Sequence, residues 1–207
     1  MSTVTDSRQK LRTELRARRR GLSTHQQAHA SHALLHNLMS LPLFMRSQHI
    51  ALYWAVDGEI DVRLAAKQLW KMGKNCYLPV VHPTIHHQMW FLEYSSNTPL
   101  TLNRFKIPEP VRREARKFPP ELLDIVLLPI VGFDITGARL GMGGGFYDAT
   151  FSFTQTRKRR KPWLLGVAHS CQQVATLATA IWDIPMHSVV TEKDIFRCNT
   201  NGEKANR

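Results

Sequence analysis

The sequence predicts an α/β protein: a single three-layer open sheet, mostly parallel, with helices on both faces. Three observations carry that reading. Short apolar runs alternate with stretches of helical periodicity along most of the chain. The first two such runs, residues 49–55 and 76–81, bracket an amphipathic segment, as in a β-α-β unit. The most apolar stretch, 122–133, leads into a glycine-rich loop, the arrangement that places ligands at the carboxyl edge of an open sheet. With 207 residues, 43% of them hydrophobic, the chain suits one sizeable core and not two. The expected organisation is one α/β domain over 1–197, a basic helix at about 7–21 within it, and a polar tail over 198–207.

Each element has a local signal. Leu11, Leu15 and Leu22 recur at helical spacing, with arginines on the other faces. Ser23, followed three residues later by Gln26, forms a capping box opening a second helix with Ala33, Leu34, Leu38 and Met39 as its apolar side; Pro42 closes it. Residues 49–55 suit a buried strand. Asp57-Gly58 turns the chain, and Asp61 caps a helix carrying Leu64, Leu69 and Trp70 that stops near Gly73. Residues 76–81 then form a strand parallel to the first. Residues 89–94 read as another strand, and 97–120 as a polar, proline-rich connection. Residues 122–133 give the central strand, 137–145 a loop, and Phe146 the start of a helix; 164–168 and 188–191 supply the last strands.

Charge narrows the function. Of the net +12, residues 8–20 contribute +6 and Arg157-Lys158-Arg159-Arg160-Lys161 contributes +5, so two short segments hold eleven of the twelve charges. A nucleic-acid reader spreads charge along a face and interleaves aromatics. The pattern argues against a nucleic-acid partner, and for phosphate binding at one site plus an exposed basic loop. Cys76, Cys171 and Cys198 form no C-x-x-C pair and read as ordinary thiols in a reducing compartment. No apolar run approaches the roughly 18 residues of a membrane span, and the N-terminus lacks the apolar region of a secretory signal. The expectation is a cytoplasmic protein without a membrane partner.

The chemistry points to Arg139-Leu140-Gly141-Met142-Gly143-Gly144-Gly145-Phe146-Tyr147-Asp148. Four glycines in five residues let backbone N–H groups approach an anion, a following helix would turn its positive end to it, and Arg139 adds a forked charge. Neither a P-loop nor a dinucleotide fingerprint is matched. Asp148, beside the loop, and Asp183, before a strand, are candidate magnesium carboxylates, although each residue type more often caps or turns the chain. Glu59, past the first strand, suits the amino and amide N–H groups of a heterocycle, or simply a helix N-terminus. Trp54 either stacks on a flat ring or fills core. His82, His86 and His87 lack the spacing of a zinc site.

These residues resemble the 5-formyltetrahydrofolate cyclo-ligase family. The segment Arg139 to Asp148, preceded by Gly132-Phe133-Asp134 and Gly137, is similar to its signature. Asp57-Gly58-Glu59-Ile60-Asp61, Ile107-Pro108-Glu109-Pro110, Trp182-Asp183 and Val189-Val190-Thr191 follow in the family's order. The resemblance implies a fold akin to the sugar-phosphate isomerase and CoA-transferase group, a monomer, and a substrate, 5-formyltetrahydrofolate, with one or several glutamates. It implies ATP as co-substrate and Mg²⁺. Carried over, Arg8, Arg12, Arg139, Gly141, Met142, Gly143, Gly144, Gly145, Phe146 and Tyr147 would hold the nucleotide, with Arg139 and Tyr147 catalytic. Trp54, Glu59 and the loop from Met142 through Phe146 would face the folate, and Asp148 and Asp183 the metal. Arg8 stands where the family usually has Lys, with Lys10 as a competing register; Ala149 and Gly144 replace an Arg and a Lys of other members. A phosphosugar isomerase of the same fold and a basic nucleic-acid-binding protein are the competing classes; neither accounts for the ordered set of motifs.

Overall fold

The computed structural model describes residues 2–155, 162–180 and 183–198, with side chains from residue 6 onward. The basic run 157–161, Trp182 and the tail beyond Cys198 lie outside the described residues. In chain order the elements are α1 (Ser2–Arg20), α2 (Thr24–Met39), α3 (Pro42–Arg46), β1 (His49–Ala51), α4 (Arg63–Lys71), β2 (Asn75–Val81), β3 (Met89–Tyr94), β4 (Leu100–Leu102), β5 (Pro108–Pro110) and β6 (Lys117–Phe118). Then come β7 (Ile125–Pro129), β8 (Gly132–Phe133), β9 (Arg139–Leu140), α5 (Phe146–Thr150), β10 (Trp163–Val167), β11 (Ser188–Val190) and β12 (Ile195–Arg197).

The capping box forms as expected: Gln26 N donates to Ser23 Oγ at 3.2 Å and Ser23 N to Gln26 Oε1 at 2.8 Å. Pro42 does more than close α2, because it occupies the first turn of α3, where its missing N–H costs nothing. Asp61 is not the capping residue of α4. Val62 holds that position, and Asp61 instead accepts from Arg63 N at 2.8 Å. β1 is shorter than the 49–55 run because Tyr53 turns back into the core, where its hydroxyl donates to Ile60 O at 2.7 Å. The proline-rich connection contains strands after all. β4 and β5 pair as an antiparallel hairpin, and β6 adds to the sheet edge beside β3, a place where proline-rich segments lose few ladder bonds. The expected central strand splits at residues 130–131 into β7 and a small β8–β9 hairpin, so the glycine segment begins as a strand. β12, which the polar composition hid, pairs antiparallel with β11.

The main sheet runs β12-β11-β10-β7-β1-β2-β3-β6. β11, β10, β7, β1 and β2 are mutually parallel; β12 and β3 run antiparallel to them on either side, and β6 pairs antiparallel with β3 at the edge. Alternation divides the core. Ile50, Ile125, Leu127 and Leu165 face α2 and α4 on one side, while Ala51, Val126, Leu128 and Leu164 face Phe133 and Phe151, next to α5, on the other. A third cluster, Leu15, Val131, Leu140 and Leu177, joins α1 to the β8–β9 hairpin at the carboxyl edge.

That third cluster is what seats α1. Leu15 is fully buried, so Leu15→Ala is expected to lower the unfolding free energy by about 3 kcal/mol. Leu102→Ala, at an exposed position, should change it by less than about 0.5 kcal/mol. Urea unfolding monitored by tryptophan fluorescence measures both; equal shifts would show that α1 is not packed as described.

Candidate active site

Chain order reverses between β1 and β7. β1 is followed by β2 on one side, whereas β7 is followed by β10 and β11 on the other. The connections leaving their carboxyl ends therefore diverge and leave a crevice. The turn 56–59 leaves β1, the β8–β9 hairpin and glycine loop leave β7, and the segment beginning at His169 leaves β10.

α1 lies across this edge. Its inner row is Arg8, Arg12, Leu15 and Arg19, spaced by three or four residues, so several arginines share the face with the leucines instead of lying opposite them. Lys10 is exposed, whereas Arg8 is half-buried on this inner row. Arg19 is 0% exposed. Its Nε donates to Asp57 O at 2.9 Å, Nη1 to Ile130 O at 3.4 Å, and Nη2 to Asp57 Oδ2 at 2.9 Å and Glu59 Oε1 at 3.5 Å. Arg16 Nε reaches Asp57 Oδ2 at 2.7 Å, and Arg20 also pairs with Asp57. Gly58 adopts φ +79°, and an added Cβ would meet Arg19 O at 3.2 Å, so the turn can press against α1 only with glycine there.

The two carboxylates of this turn shift in opposite directions. Burial would raise the Asp57 pKa, but hydrogen bonds from Arg16, Arg19 and Arg20 outweigh it and hold the group at about 2. Glu59 is pushed up to about 7 by burial, which the attraction of Arg19 and a hydrogen bond from Val56 N at 3.1 Å only partly offset. Burial, with the Glu59 charge next, also raises the Tyr147 phenol.

On the other side of the crevice, Arg12 Nε donates to Gly141 O at 2.9 Å, and Gly143 (φ +96°) and Gly145 (φ +65°) take left-handed conformations. His87 Nδ1 donates to Gly144 O at 2.7 Å. Burial, then the nearby Arg8 charge, lowers the Arg12 pKa; two cations held this close favour an anion between them. α5 is a single turn of five residues, so the expected helix dipole is slight, and arginines and loop amides are left as the anion's partners. Arg139 is buried beneath the loop rather than exposed to it: it pairs with Asp148 and donates to Ile184 O at 2.6 Å. Asp148 also accepts from Ile184 N at 3.1 Å. Asp183 accepts from Arg8 at 3.1 Å and from Ala180 N at 2.8 Å. A cavity of about 330 Å³ lined by Thr136, Gly137, Arg139, Asp183, Ile184 and Met186 opens beside them.

Arg8, Arg12, Arg139, Asp148, Asp183 and the loop from Gly141 to Tyr147 thus converge, with Glu59 linked to them through Arg19, which also reaches Met142 Sδ at 4.0 Å. Trp54 is not drawn in. Its ring packs against the core edge-on to Tyr94 at 6.5 Å, with Arg63 5.5 Å above it. Among the described residues, no three His, Cys, Asp or Glu side chains form a metal cage. Two oxygen-donor carboxylates bordering the glycine loop fit the chemistry of a Mg²⁺ ion that completes its shell with other oxygens and water. The sequence reading passed over Arg19, which helical periodicity with Leu15 could have identified, and Phe105. Phe105 is 50% exposed and stands edge-on to Phe146 at 5.9 Å. Asn103 holds it there by accepting from Phe105 N and Ile107 N at 2.9 and 3.1 Å; an aromatic in a polar loop beside prolines was the available signal.

The profile of the 5-formyltetrahydrofolate cyclo-ligase family matches residues 4–192. The chain is 40% identical over 186 residues to the 5-formyltetrahydrofolate cyclo-ligase of Haemophilus influenzae, covering 90% of this chain and 98% of that one. It is 38% identical to the Escherichia coli K12 protein of the same name, covering 88% and 98%. Among solved structures, an Aquifex aeolicus 5,10-methenyltetrahydrofolate synthetase superposes with a TM-score of 0.80 at 33% identity, covering 97% of this chain and 96% of that one.

Glu59 gives the site a pH signature. Its folded pKa lies above the ordinary value, so its contribution to stability is complete below about 4.5 and is lost as pH rises through about 7. Above that point ionisation costs on the order of 3 kcal/mol. Glu59→Gln should therefore match the native chain at pH 5 in relative stability and gain over it by pH 8. Urea unfolding at both pH values measures this, and a pH-independent difference would contradict it.

Proposed function

The chain belongs to the 5-formyltetrahydrofolate cyclo-ligase family, and from that premise we propose that the crevice under α1 converts 5-formyltetrahydrofolate to 5,10-methenyltetrahydrofolate with ATP as co-substrate. The observation that carries the reading is the inner row of α1. Arg12 stands at the glycine loop and Arg8 at Asp183, and Arg19, roughly 16 Å further along the helix from Arg8 at 1.5 Å per residue, stands at the buried Glu59. A phosphate chain fits one end and a heterocycle with several N–H groups fits the other.

The formyl oxygen on N5 is a poor leaving group. Transfer of the γ-phosphoryl group to it breaks the bond to the β-phosphate bridging oxygen and releases ADP. N10 then attacks the formyl carbon, the carbon–oxygen bond breaks, phosphate departs, and N10 gives up its proton. Such a reaction asks for positioning and charge neutralisation and not for an enzyme nucleophile. Arg8, Arg12 and the amides of the Gly141–Gly145 loop would bind the phosphates. Arg139 would fix Asp148 and the Ile184 strand beneath the loop while adding its charge to the phosphate side. Asp148 and Asp183 would hold Mg²⁺, which when bound supplies further neutralisation of phosphate charge. Glu59 would accept or share hydrogen bonds with the pterin's amino and amide groups, and Tyr147, at the end of the glycine loop, would bound the reacting centre. Met142 and Phe105, both half-exposed at the rim, offer apolar contact to the ring between pterin and glutamate.

Purified protein with Mg²⁺ and 5-formyltetrahydrofolate should show methenyl absorbance only when ATP is added; a folded sample that stays silent, or one that turns over without ATP, would overturn the assignment. Arg139→Ala is expected to raise the ATP KM and lower kcat, reducing kcat/KM by about tenfold or more. Unchanged kinetics would remove Arg139 from the site.

A further inference from the structure

His169 and Gln172 are both 1% exposed, lie outside the α1–glycine-loop row, and bind the two halves of the crevice. His169 Nε2 lies 3.1 Å from Gly58 O, which as a carbonyl only accepts, so the ring nitrogen carries the hydrogen. The same carbonyl takes a hydrogen bond from Gln27 Nε2 at 3.1 Å. Gly58 is thereby held from α2 and from the end of β10, and Glu59 follows it directly. Gln172 Nε2 spends both hydrogens on the β7 side, donating to Ile130 O and Val131 O at 2.8 Å each. Val131 N donates to Leu140 O at 2.8 Å, closing the base of the hairpin from which the glycine loop springs. The two side chains are linked to each other, since Gln172 Oε1 accepts from His169 N at 2.8 Å. The turn itself is anchored to Glu192, which accepts from Ser170 N at 2.8 Å and from its hydroxyl.

We propose that His169 and Gln172 are positioning residues, one for each substrate. His169 fixes the turn that presents Glu59 to the folate, and Gln172 fixes the strand end that carries the phosphate loop. The inference rests on the assignment of Glu59 to the folate and of the glycine loop to the nucleotide. Neither residue touches a substrate. Each acts by holding buried backbone carbonyls, His169 sharing Gly58 O with Gln27 and Gln172 sharing Ile130 O with Arg19 while holding Val131 O as well, and losing such a buried hydrogen bond costs enough to shift a loop. Burial lowers the His169 pKa, which Glu192 and the Gly58 carbonyl oppose and Arg19 assists, in keeping with a neutral imidazole.

The test is a substrate-by-substrate split. His169→Phe keeps a ring of similar size and loses the donor; it should raise the KM for 5-formyltetrahydrofolate about tenfold and leave the ATP KM within about twofold. Gln172→Met should do the reverse. His169→Gln, which can place an amide N–H near the former Nε2, should recover most of the folate affinity. Hydrogen exchange supplies a readout independent of activity: His169→Phe should speed exchange in residues 56–60 and spare 139–146, and Gln172→Met the opposite. Exchange that rises uniformly or does not change would overturn the proposal whatever the KM values, and so would failure of His169→Gln to recover folate affinity that His169→Phe has lost. If exchange splits as described while the KM values do not, the two residues position loops that are not the substrate sites, and the assignment of those loops falls instead.

Discussion

A guanidinium carried into a protein interior must have its charge and its N–H groups answered there, because leaving either unmet costs several kcal/mol. Arg19 meets that requirement with Asp57 from the β1 turn, Glu59 beside it and Ile130 from the end of β7. These groups belong to the two strands flanking the topological switch point, so α1 can satisfy Arg19 only by lying across the carboxyl edge of the sheet. Leu15, four residues earlier, enters the third core cluster in the same orientation. Arg12 and Arg8 then follow from helix geometry alone: one and two further turns along, they arrive at Gly141 and Asp183.

The same constraint divides labour between two carboxylates two positions apart. Asp57 receives three arginines and stays ionised far below the ordinary carboxylate range. Glu59 is left with a weaker share of one of them at 3.5 Å, and burial dominates its titration. A fully paired acid thus locks the helix, and a loosely paired one remains available to a ligand; environment, not residue type, makes the distinction. On the glycine-loop side the logic differs. Asp148 and Asp183 are paired with Arg139 and Arg8, so the site is close to charge-balanced around Asp148 and Asp183, and Arg12, partnered by backbone and Gln9, adds positive charge beside the loop.

Much of this was legible from the chain. The parallel β1–β2 pair, the Ser23 capping box, the central β7 and the strands β10 and β11 all carry local signals of periodicity or capping, and those are the signals that survive without tertiary context. β4, β5 and β6 were not legible because prolines in short edge strands look like loop, and β12 because its short run merges into the polar residues around it. Of the site, the glycine segment and its neighbouring acids stood out by composition. Arg19 and Asp57 did not: spacing puts Arg19 on the Leu15 face, but the acid that makes it a buried anchor is distant in sequence. For Trp54 the sequence left core and ligand contact both open; the ring is partly buried, edge-on to Tyr94 with Arg63 above it.

The most direct measurement is steady-state kinetics of Arg19→Lys with each substrate varied in turn. Lysine keeps the charge, so Asp57 is not orphaned, but it cannot reach Asp57, Glu59 and Ile130 from one planar fork. If Arg19 seats the whole assembly, KM for ATP and KM for 5-formyltetrahydrofolate should rise together, by about fivefold or more, because both ends of α1 lose register. A variant in which both constants are unchanged, or only one moves, would contradict the claim that this buried arginine builds both halves of the site.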